Sequence, residues 1–72
     1  MRSNYSSVSS YRLYDREGHP ALLVIPGKEL VNVIGYGPYY KQYDGIYSEK
    51  KFKHIKHKSE LYTAEELEQF NA

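Results

Sequence analysis

The pattern of apolar and polar residues predicts two β-strands near the start of the chain. Tyr11 and Leu13 take alternate positions within residues 11–14, whereas residues 21–25 are all apolar. Alternation is typical of a strand with one buried face, and a short, fully apolar run is typical of a strand buried on both faces. Residues 15–18 favour a type I turn that ends on a glycine and joins the two strands. We therefore expect the second strand to lie centrally, covered by a helix on one face and by aromatic side chains on the other.

A turn and a third strand follow. The Pro-Gly pair at 26–27 favours a type II turn over residues 25–28, because proline presets φ and glycine accepts a positive φ. In a strand over residues 30–36, Val31 and Val33 would face one side and their neighbours the other. The three strands would form an antiparallel meander, which Gly-Tyr-Gly-Pro at 35–38 then interrupts, because proline donates no ladder hydrogen bond.

The Asp44-Gly45 pair predicts a β-hairpin, because both central residues of a type I′ turn need a positive φ. The hairpin would pair Tyr43 with Ile46 and Gln42 with Tyr47, which fixes the two faces. One face would carry Tyr39, Lys41, Tyr43, Ile46 and Ser48, and the other Tyr40, Gln42 and Tyr47. Aromatic rings would then line both faces.

Residues 48–60 fit either a strand or a helix. In a strand that continues the hairpin, Phe52 and Ile55 would point to opposite sides. In a helix capped by Ser48, Phe52, Ile55 and Tyr62 would share one face. We favour the strand.

A helix is predicted at the C-terminal end. Thr63 and Glu66 have the spacing of a capping box, in which each side chain accepts a hydrogen bond from the other residue's amide. Leu67 and Phe70 lie three residues apart and would face the sheet. The predicted fold class is therefore α+β: a small, curved antiparallel sheet of four or five strands, partly barrel-like, with one C-terminal helix lying on it.

The length and composition of the chain indicate one small domain, and it contains no cysteine. A chain of 72 residues buries only about 60% of the surface that it exposes when unfolded, which leaves little room for a second core. Because there is no cysteine, stability must come from packing or from a partner. We assign residues 8–72 to the domain and residues 1–7 to a flexible, serine-rich tail.

The positions of the charged residues along the chain are more informative than the net charge. A formal net charge of +1 excludes a DNA-mimicking acidic surface and provides no global basic field. Yet five lysines fall within residues 50–58, which contain no acid, and four glutamates lie within residues 60–68. The longest apolar run, residues 21–25, is too short to cross a membrane, and the N-terminus lacks the apolar stretch of a secretory signal. We expect a cytoplasmic protein without a membrane partner.

Tyrosines and lysines supply the candidate binding site. Nine tyrosines stand against two phenylalanines and no tryptophan, and a phenol joins a large apolar ring to a hydroxyl that needs a partner. The candidate residues are Tyr36, Tyr39, Tyr40, Lys41, Tyr43, Tyr47, Lys50, Lys51, Lys53, Lys56 and Lys58. The lysines could neutralise phosphates, bind an acidic protein patch, or only keep an edge strand from aggregating. The tyrosines could stack on bases, anchor a protein partner, or only pack across strands.

Signals for catalysis or for a metal are weak. His54 and His57 have the spacing of a helical ligand pair, with His19 as a third candidate, but no thiolate or fixed carboxylate accompanies them. The serines lack the context of a nucleophile elbow, and Gly35-Tyr36-Gly37 lacks the continuation of a phosphate-binding loop. We predict no catalytic residue, no cofactor and no metal.

Three functions follow from these residues, in decreasing order of support. The first is a non-catalytic binding module, a modulator or inhibitor of a larger protein machine of the kind made by phages and other mobile elements, anchored by the tyrosines. The second is a nucleic-acid-binding protein that uses the lysines at 50–58 with stacking tyrosines. The third is a metal-free ribonuclease that uses the histidines. The open edge of a small sheet could also pair two copies into a homodimer.

Overall fold

The computed structural model describes residues 10–71 and places in them an antiparallel sheet with helices. The strands β1 (Tyr11–Tyr14), β2 (Pro20–Pro26), β3 (Leu30–Gly35) and β4 (Gly45–Ser48) lie in the order β1-β2-β3-β4. The helices are α1 (Gly37–Tyr40), which continues into a 3₁₀ turn at Lys41–Tyr43, α2 (Glu49–Lys58) and α3 (Ala64–Asn71). The α+β class is confirmed, and the sheet is open and not closed into a barrel. The predicted tail at residues 1–7 lies outside the described residues.

Strand β2 is central, as predicted. Tyr11 pairs with Val24 on one side of it, and Val24 pairs with Val33 on the other. The turn between β1 and β2 also forms where it was predicted, since the Gly18 amide donates to the Asp15 carbonyl at 3.0 Å. Gly18 has a φ of 91°, a conformation that glycine adopts without strain.

The turn between β2 and β3 differs from the prediction. Pro26 stays in the ladder opposite Val31, and the Gly27 amide donates to the Leu30 carbonyl at 2.8 Å. The turn is therefore centred on residues 28–29, and Gly27 does not have the positive φ of a type II turn. Glycine serves here through its size: a Cβ on Gly27 would lie 2.7 Å from the Leu30 oxygen.

The predicted hairpin at Asp44-Gly45 is wrong. Asp44 has a φ of −55°, and Gly45 pairs with Val33 of β3 and not with the residues that precede it. Residues 37–43 are helical, so the two predicted hairpin faces do not exist. Pairing with β3 prevails because it completes the ladder of a strand that would otherwise be an edge. The Asp44 carboxylate, which accepts the Gly35 amide, fixes the return of the chain to β3.

The strand that we favoured for residues 48–60 is also wrong, and the helical alternative is correct. The Ser48 hydroxyl caps α2 by accepting the Lys51 amide at 3.2 Å. Phe52 enters the core and Ile55 is half-buried on the same side of the helix. A helix buries these two side chains together, whereas a strand would have pointed one of them to solvent.

The capping box of α3 is confirmed. The Thr63 amide donates to Glu66 Oε1 at 2.8 Å, and the Glu66 amide donates to Thr63 Oγ1 at 3.2 Å. The helix lies beside β1 and does not itself close the core: Leu67 is half-buried, and Phe70 is 55% exposed, with its ring 4.8 Å from the Tyr62 ring. Leu67 and Phe70 are therefore not part of the buried core, and Phe70 packs against Tyr62 and not against the sheet.

The sheet has one closed face and one open face. The closed face carries the core, in which side chains of the sheet meet Phe52 and Leu61: Leu13, Ala21, Leu22, Val24, Val31 and Val33. Tyr40, Tyr43 and Tyr47 pack against the same cluster. We define the open face by the residues that alternate with these: Leu23, Ile25, Leu30, Asn32, Ile34 and Ile46. The expectation that aromatic rings cover the second face of β2 is not confirmed, because Tyr40, Tyr43 and Tyr47 pack on the helix side and Tyr36 reaches only the margin of the open face.

Several large apolar side chains of the open face are exposed to solvent. Ile46 is 64% exposed, Leu30 53% and Ile34 37%, while Leu23 and Ile25 are half-buried. Large apolar side chains that lie together and exposed mark surfaces that meet a partner. In the part of the chain that the structure describes, no helix has the length and apolar character needed to span a membrane.

Candidate binding surface

The outer side of α2 is basic after its first residue, Glu49. The helix turns its apolar side, with Phe52, towards the core, and therefore turns its charged residues outward. Glu49 is exposed, and the exposed side chains that follow it are Lys50, Lys51, Lys53, His54, His57 and Lys58. A strand would have divided these residues between two faces, whereas the helix gathers them on one.

Lys56 and Lys41 differ from the other lysines because each lies close to a carboxylate. Lys56 is 27% exposed, and its Nζ lies 3.1 Å from a Glu66 carboxylate oxygen. The Thr63 amide, followed by the Lys56 ammonium, lowers the pKa of Glu66. Lys41 Nζ lies 3.7 Å from an Asp44 oxygen.

The remaining four lysines of α2 have no such neighbour. Among the described residues, no carboxylate lies within salt-bridge distance of Lys50, Lys51, Lys53 or Lys58. These four ammonium groups therefore form no ion pair within the described residues, although Lys53 lines a cleft together with Glu60 and Glu66.

Three tyrosines form a cluster in the helical segment before β4. The Tyr39 ring lies 4.9 Å from the Tyr40 ring and 6.4 Å from the Tyr43 ring, both in edge-to-face geometry. Tyr40 and Tyr43 rest on the core, and burial raises the pKa of the Tyr40 phenol. Tyr39 stands on these two rings and is 64% exposed. The cluster thus holds one exposed ring on a partly buried base.

Tyr47 joins this cluster to α2. Its hydroxyl donates to the Tyr43 carbonyl at 2.7 Å, and Lys51 Nζ lies 5.9 Å from the centre of its ring. This distance suits a cation–π interaction. Tyr47 therefore links the tyrosine cluster to Lys51 of α2. We use the name Tyr/Lys surface for the predicted residues of these elements: Tyr39, Tyr40, Tyr43, Tyr47, Lys50, Lys51, Lys53 and Lys58.

Tyr36 lies apart from the other predicted residues. Its hydroxyl accepts a hydrogen bond from Arg12 Nε at 3.2 Å. Arg12 pairs with Leu23 of the open face, so the Tyr36 side chain belongs to the margin of that face. The sequence groups Tyr36 with Tyr39 because they are close in the chain, but the chain turns into α1 at Gly37, which has a φ of 80°, and Tyr36 contacts Arg12.

A cleft lies where α2 meets α3, and the sequence did not indicate it. Its volume is about 600 Å³, and its polar lining consists of Lys53, Lys56, His57, Glu60, Tyr62 and Glu66. Glu60 adopts a φ of 57° at the bend between the helices. The bend places the acidic first turn of α3 next to the basic α2. The cleft therefore lies between a positively charged helix and a negatively charged one.

The predicted histidine ligands are not brought together. His54 and His57 are exposed on α2, whereas His19 lies in the turn between β1 and β2, where its ligand atoms and those of Asp15 and Glu17 lie within 4.8 Å of one another. The amides of Glu17 and His19 both donate to one Asp15 oxygen at 2.9 Å. The His19 amide is the main cause that lowers the pKa of Asp15. These contacts are those of an exposed turn, although the three side chains could offer ligands to a cation.

No protein family model matches this chain, and comparisons with curated proteins and with solved structures find no match. The functional argument therefore depends on the geometry of the described residues. Two surfaces carry it: the Tyr/Lys surface on the helix side of the sheet, and the open face on the other side. The first was predicted in part from the sequence, and the second was missed.

Proposed function

We propose that this protein is a non-catalytic binding module that modulates or inhibits a larger protein machine. Its Tyr/Lys surface would bind an acidic region of a protein partner, with Tyr39 as the central anchor. One observation carries the proposal: Tyr47 links the cluster that exposes Tyr39 to Lys51, one of four lysines of α2 that have no carboxylate within salt-bridge distance among the described residues. An intracellular setting would suit such a partner.

The neighbouring charges favour a protein over a nucleic acid as the partner. The exposed Glu65 and Glu68 lie on α3, which the Lys56 to Glu66 ion pair joins to α2. A long polyanion lying on α2 would approach these glutamates, whereas a folded partner can present charges of both signs in a matching arrangement. Tyrosine is also enriched among the residues that dominate binding energy in protein interfaces.

The arrangement of α2 gives a nucleic-acid-binding function as the second candidate. A helix that carries several cations on its outer side can follow a phosphate backbone, and the lysines contribute through release of condensed counterions. Tyr43 and Tyr47 are half-buried, so of these three tyrosines only Tyr39 is well placed to stack on a base. This candidate therefore depends on the lysines more than on the rings.

The test is affinity capture from native lysate with three forms of the protein, each with and without nuclease treatment. The forms are the natural chain, a Tyr39→Ala, Lys53→Ala double variant, and Lys28→Ala as the control. Lys28 is an exposed lysine in the turn between β2 and β3 and is not one of the residues of the Tyr/Lys surface. We expect one protein to be captured by the natural chain and by the control, in both nuclease arms, and to be lost from the double variant.

Measuring the dissociation constant for the captured protein tests the role of Tyr39 quantitatively. Tyr39→Ala alone should weaken binding roughly 30-fold, the equivalent of about 2 kcal/mol for an anchor residue. Capture that disappears after nuclease treatment, together with binding of labelled DNA or RNA that weakens steeply with salt, would support the second candidate instead. Equal capture by the double variant would place the binding site elsewhere.

A further inference from the structure

The open face has a single amide at its centre. Leu30 and Ile34 lie two residues before and after Asn32 on β3, and Ile25 and Ile46 lie opposite it on the neighbouring strands. Residues at these positions are neighbours on one face of a sheet. Asn32 is therefore surrounded by four aliphatic side chains.

This arrangement restricts what can cover the face. An apolar partner would bury the Asn32 amide without a hydrogen bond, at a cost of roughly 1–3 kcal/mol. An amide offers both an acceptor and donors, so a second Asn32 across a two-fold axis satisfies both groups at once. A lone asparagine in an apolar seam fixes the register and the number of chains in coiled coils by the same means.

The charges also permit two copies to approach. None of the six residues of the open face is charged. Arg12 lies on the same side of the sheet, opposite Leu23 at the β1 margin, and its guanidinium donates a hydrogen bond to Tyr36. The lysines of α2 lie on the other side of the sheet, because Phe52 of that helix enters the core on the closed face. Two copies packed through their open faces would therefore keep their basic helices on opposite outer sides.

The area of the open face determines how strongly two copies are expected to bind each other. Four strands about 4.8 Å apart, with five or six residues rising about 3.3 Å each, cover roughly 300–400 Å². A standard interface uses about 800 Å² from each partner. We propose that the protein forms a two-fold dimer through its open faces, with Asn32 against Asn32 and a dissociation constant on the order of 1–100 µM. This inference does not rest on the proposed function, but the dimer would present two Tyr/Lys surfaces.

Sedimentation equilibrium of the full chain, from about 5 µM to about 500 µM, tests the dimer. We expect the mass to rise from 8.5 kDa towards twice that value. Asn32→Asp would oppose two carboxylates and should raise the dissociation constant at least tenfold at neutral pH. Gln69→Glu makes the same change from amide to carboxylate on an exposed position of α3, and should leave the dimer unchanged.

Two outcomes would overturn the proposal. One is a natural chain that stays at 8.5 kDa at every concentration, as expected if a different molecule covers the face. The other is an Asn32→Asp variant that dimerises as the control does. A thermal melt of each variant at low concentration checks folding, and Ile46→Lys, at a position 64% exposed, serves as a second disrupting variant if Asn32→Asp does not fold.

Discussion

The two faces of the sheet are built from the same strands but have opposite surroundings. On β3, Val31 and Val33 are buried, whereas Leu30 and Ile34 are exposed. On β2, Leu22 is fully buried, whereas its neighbour Leu23 is half-buried. All the covering elements that contact the core lie on one side, namely α2, the tyrosines before β4, and Leu61.

The difference shows that apolar composition does not by itself decide which side of a strand becomes the core. Both faces of β2 are apolar, yet only one meets Phe52 and Leu61. The two faces contribute differently to the molecule: burial of the closed face stabilises the monomer, and exposure of the open face leaves apolar area for association. Four stability measurements test how these and other parts of the fold contribute.

The largest expected effect comes from the adjacent leucines of β2. Leu22→Ala removes a fully buried side chain and should lower the free energy of unfolding by about 2–5 kcal/mol, as core truncations do. Leu23→Ala removes the same atoms from the open face and should cost clearly less. Urea denaturation of both variants at a concentration below dimer formation measures the difference. Equal losses would mean that the open face is covered within the monomer.

A smaller effect is expected at Gly35, which faces the helical segment before β4. A Cβ at this position would collide with the backbone oxygen of Tyr40, so the two segments would have to move apart. Gly35→Ala should cost about 1–3 kcal/mol, as overpacking of a core does. Ile34→Ala, next to it on the open face, is the control and should change stability little. A Gly35→Ala variant with natural stability and natural near-ultraviolet circular dichroism would contradict this packing.

The two serines at the ends of α2 provide a third comparison. Ser48→Ala removes the N-cap hydrogen bond to the Lys51 amide and should cost about 1 kcal/mol. Ser59→Ala removes a buried hydroxyl that has no hydrogen-bond partner in the described residues, and should be neutral or slightly stabilising. Thermal melts of the two variants should shift differently. A greater loss from Ser59→Ala would show that this hydroxyl has a stabilising role.

The smallest effect is the pH dependence carried by Glu66 at the junction of α2 and α3. The Thr63 amide and Lys56 lower its pKa, so the carboxylate stabilises the fold above the ordinary glutamate pKa of about 4.3. This contribution is lost as the pH falls through the lowered pKa. Glu66→Gln should therefore flatten the loss of stability in acid, whereas Glu65→Gln should not. A Glu66→Gln variant with an unchanged acid transition would show that the ion pair contributes nothing.

Local signals predicted the parts of the fold that depend on local contacts. The Thr63 and Glu66 capping box needs only four consecutive residues, and it forms as expected. The alternation of Val31 and Val33 correctly identified the buried side of β3. The pattern could not show which face would stay open, because Leu23 and Ile25 are as apolar as the residues that are buried.

The errors arose where a distant partner decided the outcome. Asp44-Gly45 has the composition of a tight hairpin, but β4 pairs with β3 through Val33 and Gly45, which lie 12 positions apart. For residues 48–60 the helix prevailed because it buries Phe52 and Ile55 on one side and keeps the lysines outside. The helix also placed Lys51 beside Tyr47, so the candidate surface depends on an element that the sequence left undecided.

The order of the strands has a further consequence for how the chain folds. Each strand pairs with the next one in sequence, so the connections within the sheet are short, and the entropy lost in closing a loop grows with its length. Tyr14 and Tyr62, which form a bridge between β1 and the segment before α3, lie 48 positions apart. Because contacts between near neighbours in sequence form faster than distant ones, we expect the sheet to assemble first and this bridge to close last.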